Sequence, residues 1–129
     1  VLPLVRTFPG IGQIIALTIL YEIGDISRFA SVRQFASYSR LVKCKAESAG
    51  KAYGTSGNKI GNGYLKWAFS EAAVLYLRGN DKAKRYLEKL QKRINKAKAL
   101  SALAHKIGRC IYFMIRDKQV FDEEKFLKG

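Results

Sequence analysis

The sequence is poor in cysteine and histidine. It contains two cysteines, Cys44 and Cys110, and one histidine, His105. Because the cysteines stand far apart and form no Cys-x-x-Cys pair, we interpret them as reduced thiols of a cytosolic protein. Two thiols and one imidazole are too few ligands for a structural zinc site, so we expect no metal ion to be held by this chain.

Long apolar runs are also missing. No uninterrupted apolar segment reaches the roughly 18 residues that cross a bilayer, and no signal peptide is visible. We therefore expect a cytoplasmic protein, with no membrane partner. The chain begins with Val1 and not with methionine, so we interpret it as a piece of a longer protein.

Acidic residues are scarce relative to basic ones. Lys and Arg number 24 and Asp and Glu number 10, which gives a formal net charge of +14 over 129 residues. An excess of this size is typical of proteins that bind polyanions. The hydrophobic fraction of 48% is that of a folded domain and not of a basic tail. The length fits a single domain, residues 1–129, with one core.

A turn between two apolar segments stands near the N-terminus. Pro9 ends the first segment, residues 1–8, and two glycines follow before a second apolar segment, residues 13–23. The pattern resembles a helix-hairpin-helix, in which amide groups at the start of the second helix bind a DNA phosphate without reading sequence. We therefore predict DNA contacts at Gly10, Ile11 and Gly12. The alternative is a tight turn that binds nothing.

The periodicity of the remaining chain predicts an all-α, compact multi-helix domain. Residues 1–40 form the helix-hairpin-helix part, residues 41–62 a long loop, and residues 63–129 a second helical part. Within residues 63–78, one apolar side is predicted for Leu65, Phe69, Ala72, Ala73 and Tyr76, widened by Trp67 and Val74. In residues 97–117 a single apolar seam is predicted for Leu100, Leu103, Ile107, Cys110, Ile111 and Met114.

The predicted helix at residues 82–96 is strongly basic outside a narrow apolar stripe of Leu87, Leu90 and Ile94. Glu88 is the one acid among seven cations, which are Lys82, Lys84, Arg85, Lys89, Lys92, Arg93 and Lys96. We predict that this face contacts nucleic-acid backbone, with Arg85, Lys89 and Lys92 among the binding residues. The alternative is an ordinary solvated surface.

The loop at residues 41–62 is rich in glycine, serine and lysine. It contains Gly50, Gly54, Gly57 and Gly61, and the four lysines Lys43, Lys45, Lys51 and Lys59. A loop of this length is more often functional than idle, so we predict that the lysines contact DNA. The alternative is a mobile surface linker. The loop has no Gly-x-x-x-x-Gly-Lys-Ser/Thr pattern, which excludes a P-loop nucleoside triphosphatase.

Two serines in this loop are candidate nucleophiles. Ser48 stands between Glu47 and Ala49, and Ser56 stands between Thr55 and Gly57. A serine hydroxyl attacks phosphorus only when a base or a metal helps to remove its proton, and Glu47 is the only evident base nearby. From the chemistry alone, a turn residue is the favoured interpretation of each serine, and a nucleophile is the alternative. The acids are scattered along the chain, which argues against a self-sufficient two-metal nuclease.

The order and spacing of several motifs resemble one family over nearly the whole chain, to about Phe126. The motifs are Phe8-Pro9-Gly10-Ile11-Gly12, Glu22-Ile23-Gly24-Asp25-Ile26-Ser27-Arg28-Phe29, Phe35-Ala36-Ser37-Tyr38-Ser39-Arg40-Leu41-Val42, Glu47-Ser48-Ala49-Gly50-Lys51, Lys59-Ile60-Gly61-Asn62 and Tyr64-Leu65-Lys66-Trp67-Ala68. Together they resemble the C-terminal, serine-bearing domain of bacterial insertion-sequence transposases of the pilin-invertase-related class, whose other half is a resolvase-like domain with four acidic residues.

The resemblance implies a function that composition alone does not give. Members excise and insert their element, and some are directed by a structured guide RNA. Their serine forms a covalent link to DNA, and the match assigns this role to Ser48, with Ser56 as the fallback. The resemblance also implies an N-terminal acidic domain of the same chain that binds Mg²⁺, and a homo-oligomer. We expect DNA or RNA binding from this fragment but no complete reaction.

Two other functions are open at this point. A non-catalytic helix-hairpin-helix module of a repair or junction-processing protein would explain Gly10, Gly12 and the charge, but would leave the loop around Ser48 idle. A basic RNA-binding structural protein of the ribosomal kind fits the charge but not the large apolar core.

Overall fold

The computed structural model describes residues 2–42 and 61–128. Over these residues it contains helices and no strand, which confirms the all-α prediction. The helices are α1 (Leu2–Arg6), α2 (Gln13–Ile23), a 3₁₀ helix (Ile26–Arg28), α3 (Val32–Tyr38), α4 (Gly63–Leu77), α5 (Asp81–Gln91), α6 (Lys96–Asp117) and α7 (Glu123–Leu127). Six predicted functional residues lie outside the described ranges: Lys43, Lys45, Ser48, Lys51, Ser56 and Lys59.

Local capping residues set most helix boundaries. Gly24, with a φ of 68°, ends α2 as predicted. The Ser31 hydroxyl accepts a hydrogen bond from the Gln34 amide at the start of α3, and the Asn80 side chain does the same for the Ala83 amide in α5. These short-range interactions explain why the end of α2 and the beginnings of α3 and α5 could be predicted from single residues.

Helix α4 is the central element. It packs against α6, α2 and α5, and it buries the complete predicted apolar side of Leu65, Phe69, Ala72, Ala73 and Tyr76. Two residues that were expected to widen this side, Trp67 and Val74, are instead nearly half exposed. The neighbouring helices do not extend far enough around α4 to cover them.

Helix α6 is the longest helix and supplies seven residues of the core, among them Leu103, Ile107 and Ile111. Leu103, Ile107, Ile111 and Met114 of its predicted seam are buried, while Leu100 and Cys110 are partly exposed. The chain then folds back, and the ring of Phe8 lies 4.4 Å from Phe121 and 5.5 Å from Phe126. The two ends of the described chain are therefore joined in one core.

The prediction of one helix over residues 82–96 is wrong at its C-terminal end. Helix α5 ends at Gln91, and α6 begins at Lys96. The Asn95 side chain accepts a hydrogen bond from the Lys98 amide at 2.8 Å and so caps the start of α6. This cap favours two shorter helices, and Ile94 lies in the connection between them.

Residues on either side of the segment 43–60 lie close together. The Asn62 amide nitrogen donates to the Tyr38 carbonyl at 2.6 Å, and the Asn62 side chain donates to Glu22 at 2.7 Å. Gly61 has a φ of 103°, and a Cβ there would collide with Arg40 and with the Tyr38 carbonyl. These contacts fix the start of α4 against the end of α3.

Among the described helices, none is both long enough and apolar enough to cross a membrane.

Candidate nucleic-acid interface

The turn at residues 7–12 is held by the core on both sides. The amides of Thr7 and Phe8 donate to the carbonyls of Leu4 and Val5, and the Ile11 amide donates to the Phe8 carbonyl at 3.1 Å. The side chains of Phe8 and Ile11 are buried. The side chain of Ile11 belongs to the core and its amide donates within the turn, and the DNA contact at this residue stays a prediction.

Gly10 is the residue that lets the turn sit directly on α4. Its φ is 104°, a value that residues with a side chain rarely adopt. An added Cβ would lie 2.8 Å from the Tyr76 backbone nitrogen and 3.1 Å from the Ala72 carbonyl oxygen. The turn therefore contacts the backbone of the central helix. This close approach accounts for glycine at position 10 in structural terms.

Gly12 occupies a different environment. It is the N-cap of α2 and provides no side-chain cap, and apart from its chain neighbours no heavy atom of the described residues lies within 4 Å of where its Cβ would be. The caps of α3, α4, α5, α6 and α7 all accept a hydrogen bond through a side chain. The first amides of α2 therefore have no capping side chain on their N-cap residue, and the positive end of the helix dipole lies there.

The turn borders an open groove that basic side chains also line. We call it the hairpin groove; it has a volume of about 670 Å³ and is lined by Pro9, Gly10, Arg78, Lys82 and Arg85, among others. The structure thus brings together two residues that were predicted to contact DNA, Gly10 of the turn and Arg85 of α5, whereas Gly12 is not among the residues that line the groove. Sequence reasoning missed Arg78, which follows α4 and carries no motif.

Two acids also line the hairpin groove. The carboxylate of Glu123 accepts hydrogen bonds from the Tyr76 hydroxyl at 3.0 Å and from the Asn80 side chain at 3.2 Å. Burial, together with this hydrogen bond and the charge of Glu123, raises the pKa of Tyr76 far above its ordinary value, so the phenol remains a neutral donor. Asp81, the other acid, is the first residue of α5.

The basic face of α5 continues from the groove. Ala83 and Leu87 are buried, while Lys82, Lys84, Arg85 and Lys89 are exposed on the helix, and Lys92 is exposed just after it. Within residues 2–42 and 61–128 the one ion pair joins Arg116 to Asp117. The cations of α5 therefore form no ion pair with acids in this part of the chain, and they remain available to a polyanion.

A metal site is not formed by the described residues. In residues 2–42 and 61–128 no three His, Cys, Asp or Glu side chains lie close enough together to hold an ion. The Mg²⁺ that the resemblance implies is expected in the acidic domain and not in this part of the chain.

Comparisons with known proteins show similarity to proteins of insertion sequences. The model of the Transposase IS116/IS110/IS902 family matches residues 2–88. The transposase for insertion sequence element IS1111A of Coxiella burnetii is 28% identical over 121 residues, which cover 91% of this chain and 33% of that protein. The insertion element IS110 uncharacterized 43.6 kDa protein of Streptomyces coelicolor is 25% identical over 121 residues, covering 93% of this chain and 30% of that protein.

A further relative, the insertion element IS116 uncharacterized 44.8 kDa protein of Streptomyces clavuligerus, is 24% identical over 119 residues, covering 92% of this chain and 30% of that protein. The chain spans about a third of the length of the curated relatives that it matches. No solved structure matches it significantly.

Proposed function

The chain belongs to the IS116/IS110/IS902 transposase family, and from that premise we propose that it is the DNA-binding, serine-bearing C-terminal part of an insertion-sequence transposase. The observation that carries the binding half of this proposal is the hairpin groove, where the glycine turn meets cations of α5. In this proposal the turn acts as a helix-hairpin-helix, and the first amides of α2 contact a phosphate.

The cations extend this contact along the DNA. Arg85 lines the groove, and Lys89 and Lys92 are exposed further along the chain. Phosphate contacts of this kind bind duplex without reading its sequence. The lysines at positions 43, 45, 51 and 59 lie outside the described residues, and we propose that they bind the same strand.

The proposed chemistry uses one serine hydroxyl. The oxygen of Ser48 attacks a DNA phosphorus and loses its proton, and a deoxyribose oxygen leaves, so that the strand becomes joined to the protein. The acidic, resolvase-like domain expected in the full-length protein would hold Mg²⁺, which stabilises charge on a reacting phosphate. We propose that the full-length protein acts as a homo-oligomer and that DNA, with or without a guide RNA, is its partner.

The test is a strand-exchange assay with the full-length protein. We expect Ser48→Ala to abolish covalent attachment and strand exchange, and Ser56→Ala, the matched control in the same loop, to keep both. Full activity of Ser48→Ala together with loss in Ser56→Ala would move the nucleophile to Ser56. Full activity of both variants would refute a serine mechanism.

A non-catalytic helix-hairpin-helix module is the second candidate. It is favoured by the hairpin groove, which requires no contribution from either serine. In that case duplex affinity would depend on Gly12 and Arg85, while both serine variants of the full-length protein would act as wild type.

A further inference from the structure

Three large aromatic side chains lie on the surface away from the hairpin groove. Tyr21 is 84% exposed, Tyr64 is 68% exposed and Trp67 is 47% exposed. They are not required by the core, because Ile19 and Ile23 on α2, and Leu65, Ala68 and Phe69 on α4, already fill it. Exposed apolar side chains that form a contiguous patch often mark a binding surface.

The three aromatics lie at the same end of the α2–α4 pair. Helices α2 and α4 are antiparallel, because Gly10 before α2 contacts Tyr76 near the end of α4, whereas Glu22 near the end of α2 bonds to Asn62 at the start of α4. Tyr21 precedes Glu22 by one residue, and Tyr64 follows Asn62 by two residues. Both tyrosines therefore lie close along the chain to this hydrogen bond. Tyr64 and Trp67 are three residues apart on α4 and so share a face.

Cations flank these aromatics. Lys66 is exposed between Tyr64 and Trp67, and its ammonium lies 3.4 Å from the Arg40 carbonyl. The Arg40 guanidinium lies 3.5 Å from where a Cβ of Gly63 would be. Among the acids of residues 2–42 and 61–128, Glu22 accepts a hydrogen bond from the Asn62 side chain, and Glu71 follows Trp67 by one turn of α4. The surface thus combines exposed rings with positive charge.

We propose that Tyr21, Tyr64 and Trp67 form a platform on which unpaired bases of single-stranded DNA stack, with Arg40 and Lys66 contacting its phosphates. Aromatic rings beside cations are how proteins hold single strands, whereas the bases of a duplex are stacked on each other and are not available. The proposal rests on the proposed function in that DNA is the ligand. It concerns a separate surface, because Tyr64 and Tyr76 are roughly 18 Å apart along α4 at 1.5 Å per residue.

Trp67 provides a direct probe, because it is the only tryptophan of the chain. Its emission is followed while the chain is titrated with an oligothymidine strand, with an abasic strand of equal length and charge, and with a duplex. We expect the oligothymidine strand to quench the emission and the other two not to. Equal quenching by the abasic strand would show a backbone effect and would overturn the platform.

Variants then test the rings themselves. Tyr64→Ala should weaken single-strand affinity about 5- to 150-fold, Tyr64→Phe should retain it, and duplex affinity should be unchanged in both. Val120→Ala, an exposed apolar residue elsewhere, is the matched control and should bind as wild type. Unchanged melting temperatures show that the variants are folded.

The outcomes separate the two proposals. If the chain binds duplex DNA but single-stranded DNA does not quench its emission, the platform alone is overturned. If the wild-type chain binds no DNA at all, the proposed function is overturned. If the affinity for an RNA strand of the same sequence depends on Tyr64 and the affinity for the DNA strand does not, the choice of DNA as the ligand is overturned. A dimer in sedimentation that Tyr64→Ala dissociates would instead assign these aromatics to contact between two copies.

Discussion

Substitution of Gly12 by serine separates the stability of the turn from its capacity to bind phosphate. Gly12 has φ −84° and ψ −169°, an extended conformation that serine adopts readily, and its surroundings are open. A serine hydroxyl there can accept a hydrogen bond from the first turn of α2, as Ser31 does for α3. The new cap and the smaller entropy of the unfolded chain together stabilise the fold by about 0.5–1 kcal/mol.

The same hydroxyl should weaken DNA binding. It would occupy an amide that the proposal assigns to a phosphate, and a hydrogen bond to a charged group is worth about 1.5–3 kcal/mol. We therefore expect Gly12→Ser to melt about 2–5 °C higher than wild type and to bind a fluorescent duplex about 10-fold less tightly or worse, as measured by anisotropy at fixed salt. A more stable variant with wild-type affinity would refute the phosphate contact.

Gly10→Ala is the matched substitution with the opposite effect on stability. The positive φ costs about 1–3 kcal/mol for alanine, and its Cβ would meet the α4 backbone at 2.8 Å, which adds about 1–3 kcal/mol of overpacking. The melting temperature should fall by about 10 °C or more. A wild-type melting temperature for Gly10→Ala would contradict the close contact between the turn and the backbone of α4.

Two further predictions concern the fold. Asn62→Ala removes the cap of α4 and the hydrogen bonds to Glu22 and Tyr38, so urea unfolding should show a loss of about 2–3 kcal/mol. Asn95→Ala, which removes an exposed cap, should lose about 1 kcal/mol. Equal losses for the two variants would contradict a stabilising role of the Asn62 hydrogen bonds to Glu22 and Tyr38. Burial and Arg109 lower the pKa of His105, so the unfolded state binds more protons and stability should rise with pH through 6.5. In melting experiments at a series of pH values, His105→Gln should no longer show this rise in stability. If the rise persists in the variant, other titratable groups cause it.

Much of the fold is predictable from the sequence because its signals are local. Gly24, Ser31 and Asn80 mark helix boundaries through contacts within a few residues, and the apolar side of α4 follows from its spacing. Periodicity does not show how far neighbouring helices cover a face, so Trp67 was expected in the apolar side of α4 and is half exposed. The missed break before Asn95 has a similar cause, since a basic, weakly apolar stretch is equally compatible with one helix or two.

The candidate site is less predictable than its parts. The glycine turn and the basic face of α5 could each be identified from the sequence, but their meeting in the hairpin groove depends on packing against α4. Gly10 and Gly12 are equivalent in the sequence pattern. Only the surroundings show that Gly10 is required by packing, whereas Gly12 stands in open space.

The most direct test of DNA binding through the turn and α5 is the salt dependence of duplex affinity. A variant combining Arg85→Gln, Lys89→Gln and Lys92→Gln should bind more weakly, and its slope of log affinity against log salt should be shallower by about 0.9 for each phosphate that the variant no longer neutralises. A control with Arg33→Gln, Lys118→Gln and Lys128→Gln, exposed cations elsewhere, has the same net charge and should keep the wild-type slope. Equal slopes for the two triple variants would show that net charge alone drives binding and would contradict the account.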